Sequence, residues 1–385
     1  MPKKNIVFLF HLYQPPWQER SVFLDFYSNR YEPLITFFEN NPTCKVTFNF
    51  TGSLTEIFIK EKKFELIDRI RLLVDRKQVE LVGTAMYHPI LPLIPNKEIV
   101  RQIHLNETIN SKYFKEQWTS NILSGRGFYL PEIAYSNESL KIIHDLGFKW
   151  ITIDRSSIDY YAKIDWTVKY KEKNTKTDLL IRNSYLYNDN TLSKPIIEND
   201  NLIFIEDGED KLIPTKDNLY WNIKLKNILG KDILLNYMTS GEYFLSLSST
   251  NINYVDLNNG NWEITEDEYL QKSFYHIWDN KNDELHQLLW NLINDILELV
   301  HKQENDKNNE FIRNQLDMAL SSCTWWWVDG RFNGYYPTAI QKGLDIMINT
   351  IRSFDKLELD TRLKFEKIYS QILYKIWERH WKKSL

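Results

Sequence analysis

The 385-residue chain is predicted to be an α/β protein, a barrel-like parallel sheet of seven strands followed by a helical carboxy-terminal domain. Three observations predict it. Short apolar runs recur that are continuous rather than alternating, as in strands buried on both faces. Segments of helical spacing separate most of them, and strand-like runs stop after about residue 262.

The runs are NIVFLF (5–10), KVTFNF (45–50), VELVG (79–83), GFYLP (127–131), KWITI (149–153), LIFI (202–205) and ILLNY (233–237). Between the second and third, Leu54, Ile57, Phe58, Phe64, Ile67, Ile70 and Leu73 fall roughly on one face of a helix predicted from Ser53 to about Arg76. Another helix follows Asn137 and stops at Gly147. Residues 160–200, with KYKEKNTKTD and YNDNTLSKP, are polar and turn-rich and read as an inserted loop or small hairpin over one end of the barrel. Domain limits are expected at 1–262 for the barrel and 263–385 for a helical domain packed on it. Helices are expected there from Leu285 to Val300 and near 310–322, 337–354 and 361–381.

A formal net charge of −4, from 48 basic and 52 acidic residues interspersed along the chain, argues against nucleic acid or an anionic membrane as partner. No apolar stretch approaches the length of a membrane span, and the amino-terminal NIVFLF is too short for a signal-peptide core, so a cytoplasmic location is expected. Cys44 and Cys323 offer no disulfide framework or CxxC pattern and read as buried thiols. Aromatic residues are abundant, with 13 Trp, 22 Tyr and 20 Phe; most suit a core, and some suit stacking on sugar faces.

In a parallel barrel the reacting groups leave the carboxyl ends of the strands. Read there, the sequence supplies His11, then Thr51 and Gly52 with Asn49 inside the strand, Tyr87 and His88, Glu132, Asp154, and finally Glu206, Asp207 and Glu209. Two carboxylates across a pocket are the minimal equipment for glycosidic cleavage, one attacking the anomeric carbon and one protonating the leaving oxygen. Glu132 and Asp207 are the candidates for those roles, in that order; acids at strand ends also cap helices. The eight histidines show no HxH or HxxxH spacing, so no metal and no cofactor is expected. In SSCTWWWVDGRFNGYYP (321–337) three consecutive tryptophans diverge by about 100° each, so they cannot share one core, and either an interdomain plug or a sugar platform fits.

As a set, these segments resemble glycoside hydrolase family 57, the α-glucan-active family of α-amylases, 4-α-glucanotransferases and α-glucan branching enzymes. HLYQPP is similar to its first motif, with Tyr13 where the second histidine usually stands; VELVGTAMYHPILPLIP to the second; GFYLPEIAYS to the third; the DGE of IEDGED to the fourth; and ALSSCTWWW to the fifth. The resemblance implies an incomplete seven-stranded (β/α) TIM-like barrel, a retaining mechanism with Glu132 as nucleophile and Asp207 as general acid/base, and an α-glucan or oligosaccharide substrate. It makes His11, Gln14, His88, Asp154, Trp325, Trp326 and Trp327 candidates for substrate contact. The alternatives are a catalytically silent carbohydrate-binding protein and a metal-dependent enzyme of the polysaccharide deacetylase or α-mannosidase type.

Overall fold

The computed structural model describes residues 3–120, 122–182, 199–209, 214–215, 218–219, 234–331 and 334–383. They divide into two units, Met1–Gln14 with Gln18–Met86 and Leu91–Tyr269, and Pro15–Trp17 with Tyr87–Ile90 and Leu270–Leu385. None of the described helices is long and apolar enough to cross a membrane.

The first unit is an α/β structure with parallel sheets. Its strands are β1 (Lys3–Leu12), β2 (Val46–Phe50), β3 (Val79–Val82), β4 (Gly127–Phe128), β5 (Trp150–Asp154), β6 (Lys169–Glu172), β7 (Asp178–Arg182), β8 (Asn201–Asp207), β9 (Pro214–Thr215), β10 (Asn218–Leu219), β11 (Leu234–Met238) and β12 (Ile252–Val255). One parallel ladder joins β8, β1, β2 and β3, with β11 also parallel to β1. A second joins β4, β5 and β7, and a parallel bridge between Gly83 and Phe128 connects the end of β3 to β4. Parallel neighbours in register present their side chains to the same face. In β2, Phe48 and Phe50 meet the helix-borne rings of Phe38, Phe58 and Phe114, while Thr47 and Asn49 take the opposite face. His11 stands opposite both Asn49 and Asp207, so three polar groups at strand ends share one rim.

The structure refines the sequence reading of two stretches. The helix expected over 53–76 is two helices, Gly52–Lys60 and Phe64–Asp75. The run Lys60-Glu61-Lys62-Lys63 has nothing apolar to bury. Lys62 turns there at φ 56°, and the Lys63 N–H donates to the Phe58 carbonyl at 2.8 Å, which closes the first helix with a left-handed residue. Within the stretch 160–200 the hairpin alternative holds, since β6 pairs with Asp178–Arg182 in antiparallel fashion, but that second arm is also a fully buried strand parallel to β5. Asp178 is tolerated inside because Lys169 and Lys171 reach it at 3.5 and 2.6 Å, so the buried charge is paired. Residues 183–198 of that stretch lie outside the described residues, as does residue 233 of the last predicted strand.

On the same face as Asn49, Glu80 is buried and accepts the Gly241 N–H at 2.8 Å, at the start of the helix Ser240–Ser246. Burial pushes its carboxyl up to about 7, against the opposing effect of donors from Gly241, Thr239 and Thr47. Because the folded value lies above the unfolded one of 4.5, the folded state keeps a proton that the unfolded chain releases. Stability therefore falls as pH rises from about 4.5 to 7, by about 3 kcal/mol from this group. Urea unfolding at pH 5 and pH 8 should show Glu80→Gln losing that share of the difference; an unchanged difference contradicts it.

The second unit holds the helices Glu284–Lys302, Asn309–Ala319, Cys323–Asp329, Pro337–Arg352 and Leu359–Lys383. Leu289, Leu292, Ile293 and Ile296 of the first are buried, in the helical spacing that the sequence displays. Asp283 caps that helix through the N–H groups of Leu285 and His286. It also pairs through both oxygens with Arg379, at 2.7 and 2.8 Å, the two-pronged geometry that makes such pairs strong. Cys44 is buried, whereas Cys323, in the first turn of its short helix, is only partly so.

Candidate active site

Glu132 lies in a short turn, Pro131–Ile133, that leaves β4. Strand β4 approaches β5 closely because Gly127 has no Cβ. A Cβ at that position would stand 2.0 Å from the Trp150 ring. Glu132 and Ile133 both adopt left-handed backbone, at φ 56° and 48°. That conformation is uncommon for any side chain and costly for a β-branched one. The turn is held from outside. Tyr135 and Gly260 form an antiparallel bridge, the Trp262 N–H donates to the Glu132 carbonyl at 3.3 Å, and the Trp262 indole Nε1–H donates to Glu132 Oε2 at 2.9 Å.

Asp207 closes β8 opposite His11 and is exposed. Gly208 follows because the chain folds tightly over β1 there, where only a residue without a Cβ fits. Its N–H donates to the His11 carbonyl at 2.7 Å, and a Cβ would stand 2.2 Å from Leu12 Cδ2. Glu209 accepts the Tyr13 backbone N–H at 2.8 Å and the Tyr31 hydroxyl at 2.5 Å, with the Gln14 side chain also on it. Tyr31 ends a π-helical turn, Tyr27–Tyr31, of the kind found at functional sites. Tyr13 thus serves through its backbone.

The charges act on one another. Loss of water and then the Asp207 charge push Glu132 up to about 8, opposed by the Trp262 N–H. The same two causes push Glu209 up to about 8, opposed by Tyr31, Tyr13 and Gln14. Acidic groups this closely coupled cannot all ionise at neutral pH, so protons are shared among them. His11 is enclosed, its Nδ1 on Asn49 Oδ1 at 2.6 Å and its ring stacked on Tyr129 at 4.6 Å. Burial brings its pKa down to about 4, so it is neutral at pH 7. Among the described residues the buried Tyr129 hydroxyl has no hydrogen-bond partner, and its own ionisation is opposed chiefly by burial and then by Asp207 and Glu132.

Of the residues singled out from the sequence, Glu132, Asp207, His11 and Gln14 meet in this unit. Asp154 is 2% exposed and committed elsewhere, capping the next turn through the Ser156 N–H at 2.9 Å and pairing with Arg182 at 3.7 Å. His88 and the three tryptophans belong to the second unit. There His88, at φ 58°, places Nδ1 3.0 Å from Ser322 Oγ. Trp325 is 1% exposed and stacks on Trp290 at 4.3 Å, so it offers no open ring face to a sugar; Trp326 and Trp327 are partly exposed and meet edge to face. Trp262, Arg182, Tyr31 and Tyr129 join the site without a sequence motif that marks them. A lone tryptophan in the polar NNGNWEITED is the local signal for Trp262. Among the described residues, no three His, Cys, Asp or Glu side chains are grouped to hold a metal ion.

A family model described as Glycosyl hydrolase family 57 matches residues 7–276. Among curated proteins, the chain is 29% identical over 155 residues to an alpha-amylase of Pyrococcus abyssi and 29% identical over 154 residues to a 4-alpha-glucanotransferase of Thermococcus litoralis. Each alignment covers 40% of this chain and 22% of the relative, so the matched part spans about a fifth of those relatives' length. Among solved structures, the 4-alpha-glucanotransferase of Thermococcus litoralis superposes with a TM-score of 0.68 at 18% identity, over 93% of this chain and 61% of that one. A GH57 branching enzyme of Thermococcus kodakaraensis does so with a TM-score of 0.68 at 13% identity, over 96% and 94%. At these identities the structural likeness is one of fold.

Proposed function

Because this chain belongs to glycosyl hydrolase family 57, we propose that it is a retaining glycoside hydrolase or transglycosylase that acts on α-glucans. The observation that carries the reading is the placement of Glu132 and Asp207 on one rim, each delivered by the end of a parallel strand or the turn leaving it, close enough for the Asp207 charge to oppose ionisation of Glu132. We read the parallel strands β1, β2, β3, β4, β5, β7, β8 and β11, one more than the seven expected because β7 joins them, as an incomplete barrel whose carboxyl-end rim is the substrate cleft.

In the proposed cycle, Glu132 in its ionised form attacks the anomeric carbon and Asp207 in its acid form delivers a proton to the departing glycosidic oxygen. The sugar is left covalently on Glu132. Asp207, now a base, takes the proton from a water or from a sugar hydroxyl that attacks the same carbon, and Glu132 is regenerated. Neutral His11, fixed by Asn49 and Tyr129, presents Nε2 as an uncharged hydrogen-bonding group toward a sugar hydroxyl.

Proton NMR of fresh digests of maltooligosaccharides tests the reading. New reducing ends or transfer products should appear first as the α anomer. First appearance as the β anomer would replace retention with inversion, and no turnover alongside measurable glucan binding would favour the silent binding protein.

A further inference from the structure

The two acids need opposite protonation states, yet their mutual repulsion treats them alike. Something beside the pair must decide which one keeps the proton. We propose that Trp262 is a positioning residue that biases it: the indole N–H, held on Glu132 Oε2, favours the charged form of Glu132 against the burial that opposes it, and so shifts the proton toward Asp207. The inference rests on the roles given above to those two carboxylates.

The indole is held from three sides. Its backbone N–H is on the Glu132 carbonyl, just past the bridge that Gly260 makes to Tyr135. The Arg182 guanidinium lies 5.1 Å from the ring centroid and donates from Nη1 to the Trp262 carbonyl at 3.3 Å, a cation held over an aromatic face. Tyr129 meets the ring edge to face at 6.4 Å. Arg182 also donates from Nε to the carbonyl of Ile205 at 3.2 Å, on the strand that ends at Asp207, and pairs with Asp154. One buried arginine thus ties the donor to Glu132 and the strand carrying Asp207 to the same point, so the position of the N–H relative to both acids is fixed by the fold.

The groups that act on Glu132 are of mixed sign. Asp207 and Glu263 oppose its ionisation, the Trp262 N–H favours it, and Glu209 is coupled to Asp207 across the rim. The Arg182 charge lies over the indole and favours ionisation of Tyr129. An indole N–H donates only, so it stabilises the carboxylate more than the neutral acid, whose carbonyl oxygen accepts a weaker hydrogen bond. Removing it should let the proton move toward Glu132, which disarms the nucleophile and discharges the acid together.

The test uses Trp262→Phe and, where that variant loses packing, 3-benzothienylalanine incorporated at position 262, which keeps the shape and lacks the N–H. Two readouts are taken on the full chain: the pH profile of kcat/KM, and the titration of the Glu132 carboxyl carbon by carbon-13 NMR, assigned by its loss in Glu132→Gln. In either variant the acidic limb and the Glu132 midpoint should move upward by about one pH unit, with kcat falling about tenfold at pH 6 and KM nearly unchanged. A Glu132 midpoint that stays put in the benzothienyl variant overturns the proposal even if activity falls. If the wild type neither turns over nor forms a covalent adduct, it is the functional reading that fails; the NMR titration still decides whether the Trp262 N–H lowers the Glu132 midpoint.

Discussion

Glu132→Gln is expected to lower kcat on α-glucans by on the order of 10⁵-fold, because the amide cannot form the glycosyl ester and the reaction has no second route to retention. The loss should fall on kcat rather than on KM, since the substitution preserves shape and the Trp262 N–H can still donate to the amide oxygen. The same change should raise thermal stability at pH 8. The wild-type carboxyl is held at about 8 in the fold, against an ordinary 4.5, so the folded state keeps a proton that the unfolded chain releases and stability falls as pH rises through that window. A variant that is both inactive and more stable is the signature of a carboxylate kept for chemistry. An inactive variant that is less stable would point to a structural role in the turn, where Glu132 also carries left-handed backbone.

Asp207→Asn is expected to lose about 10²- to 10⁴-fold on glucans, the range for removal of a general acid. On α-glucosyl fluoride the first step should be largely spared, because fluoride leaves without a proton. The second step, which needs a base, then becomes limiting and the covalent intermediate accumulates. Azide, a nucleophile that needs no base, should restore turnover and give glucosyl azide of retained configuration. Equal losses on fluoride and glucan, with no rescue by azide, would remove Asp207 from the acid/base role. Exposure of Asp207 suits a group that must hand its proton back and forth.

How far the sequence could be read follows from what each residue contacts. The strand runs announced themselves because strands buried on both faces need continuous apolar stretches, and NIVFLF and KVTFNF are of that kind. Their ends exposed Glu132 and Asp207 for the same reason, a change from apolar to acidic at the point where a strand stops. The strand Asp178–Arg182 is legible only as one arm of a small hairpin, because it begins and ends on charged residues, each neutralised by partners outside the strand, and its local pattern gives no sign of a buried place beside β5. Trp262 was hidden more deeply: it meets Glu132 across 130 positions and no local periodicity encodes that contact. Tyr31 and Glu209 are likewise joined across 178 positions, through a π-helical turn that no apolar spacing foretells. The WWW motif divided as helix geometry requires, Trp325 into the core and its two neighbours partly outward.

The most direct test of the central claim is intact-protein mass spectrometry after incubation with a fluorinated α-glucosyl donor, followed by mapping of the modified peptide. The account predicts one added glycosyl group on the wild type, on the peptide containing Glu132, and none on Glu132→Gln. A label on another residue, or turnover with inversion and no label at all, would contradict it.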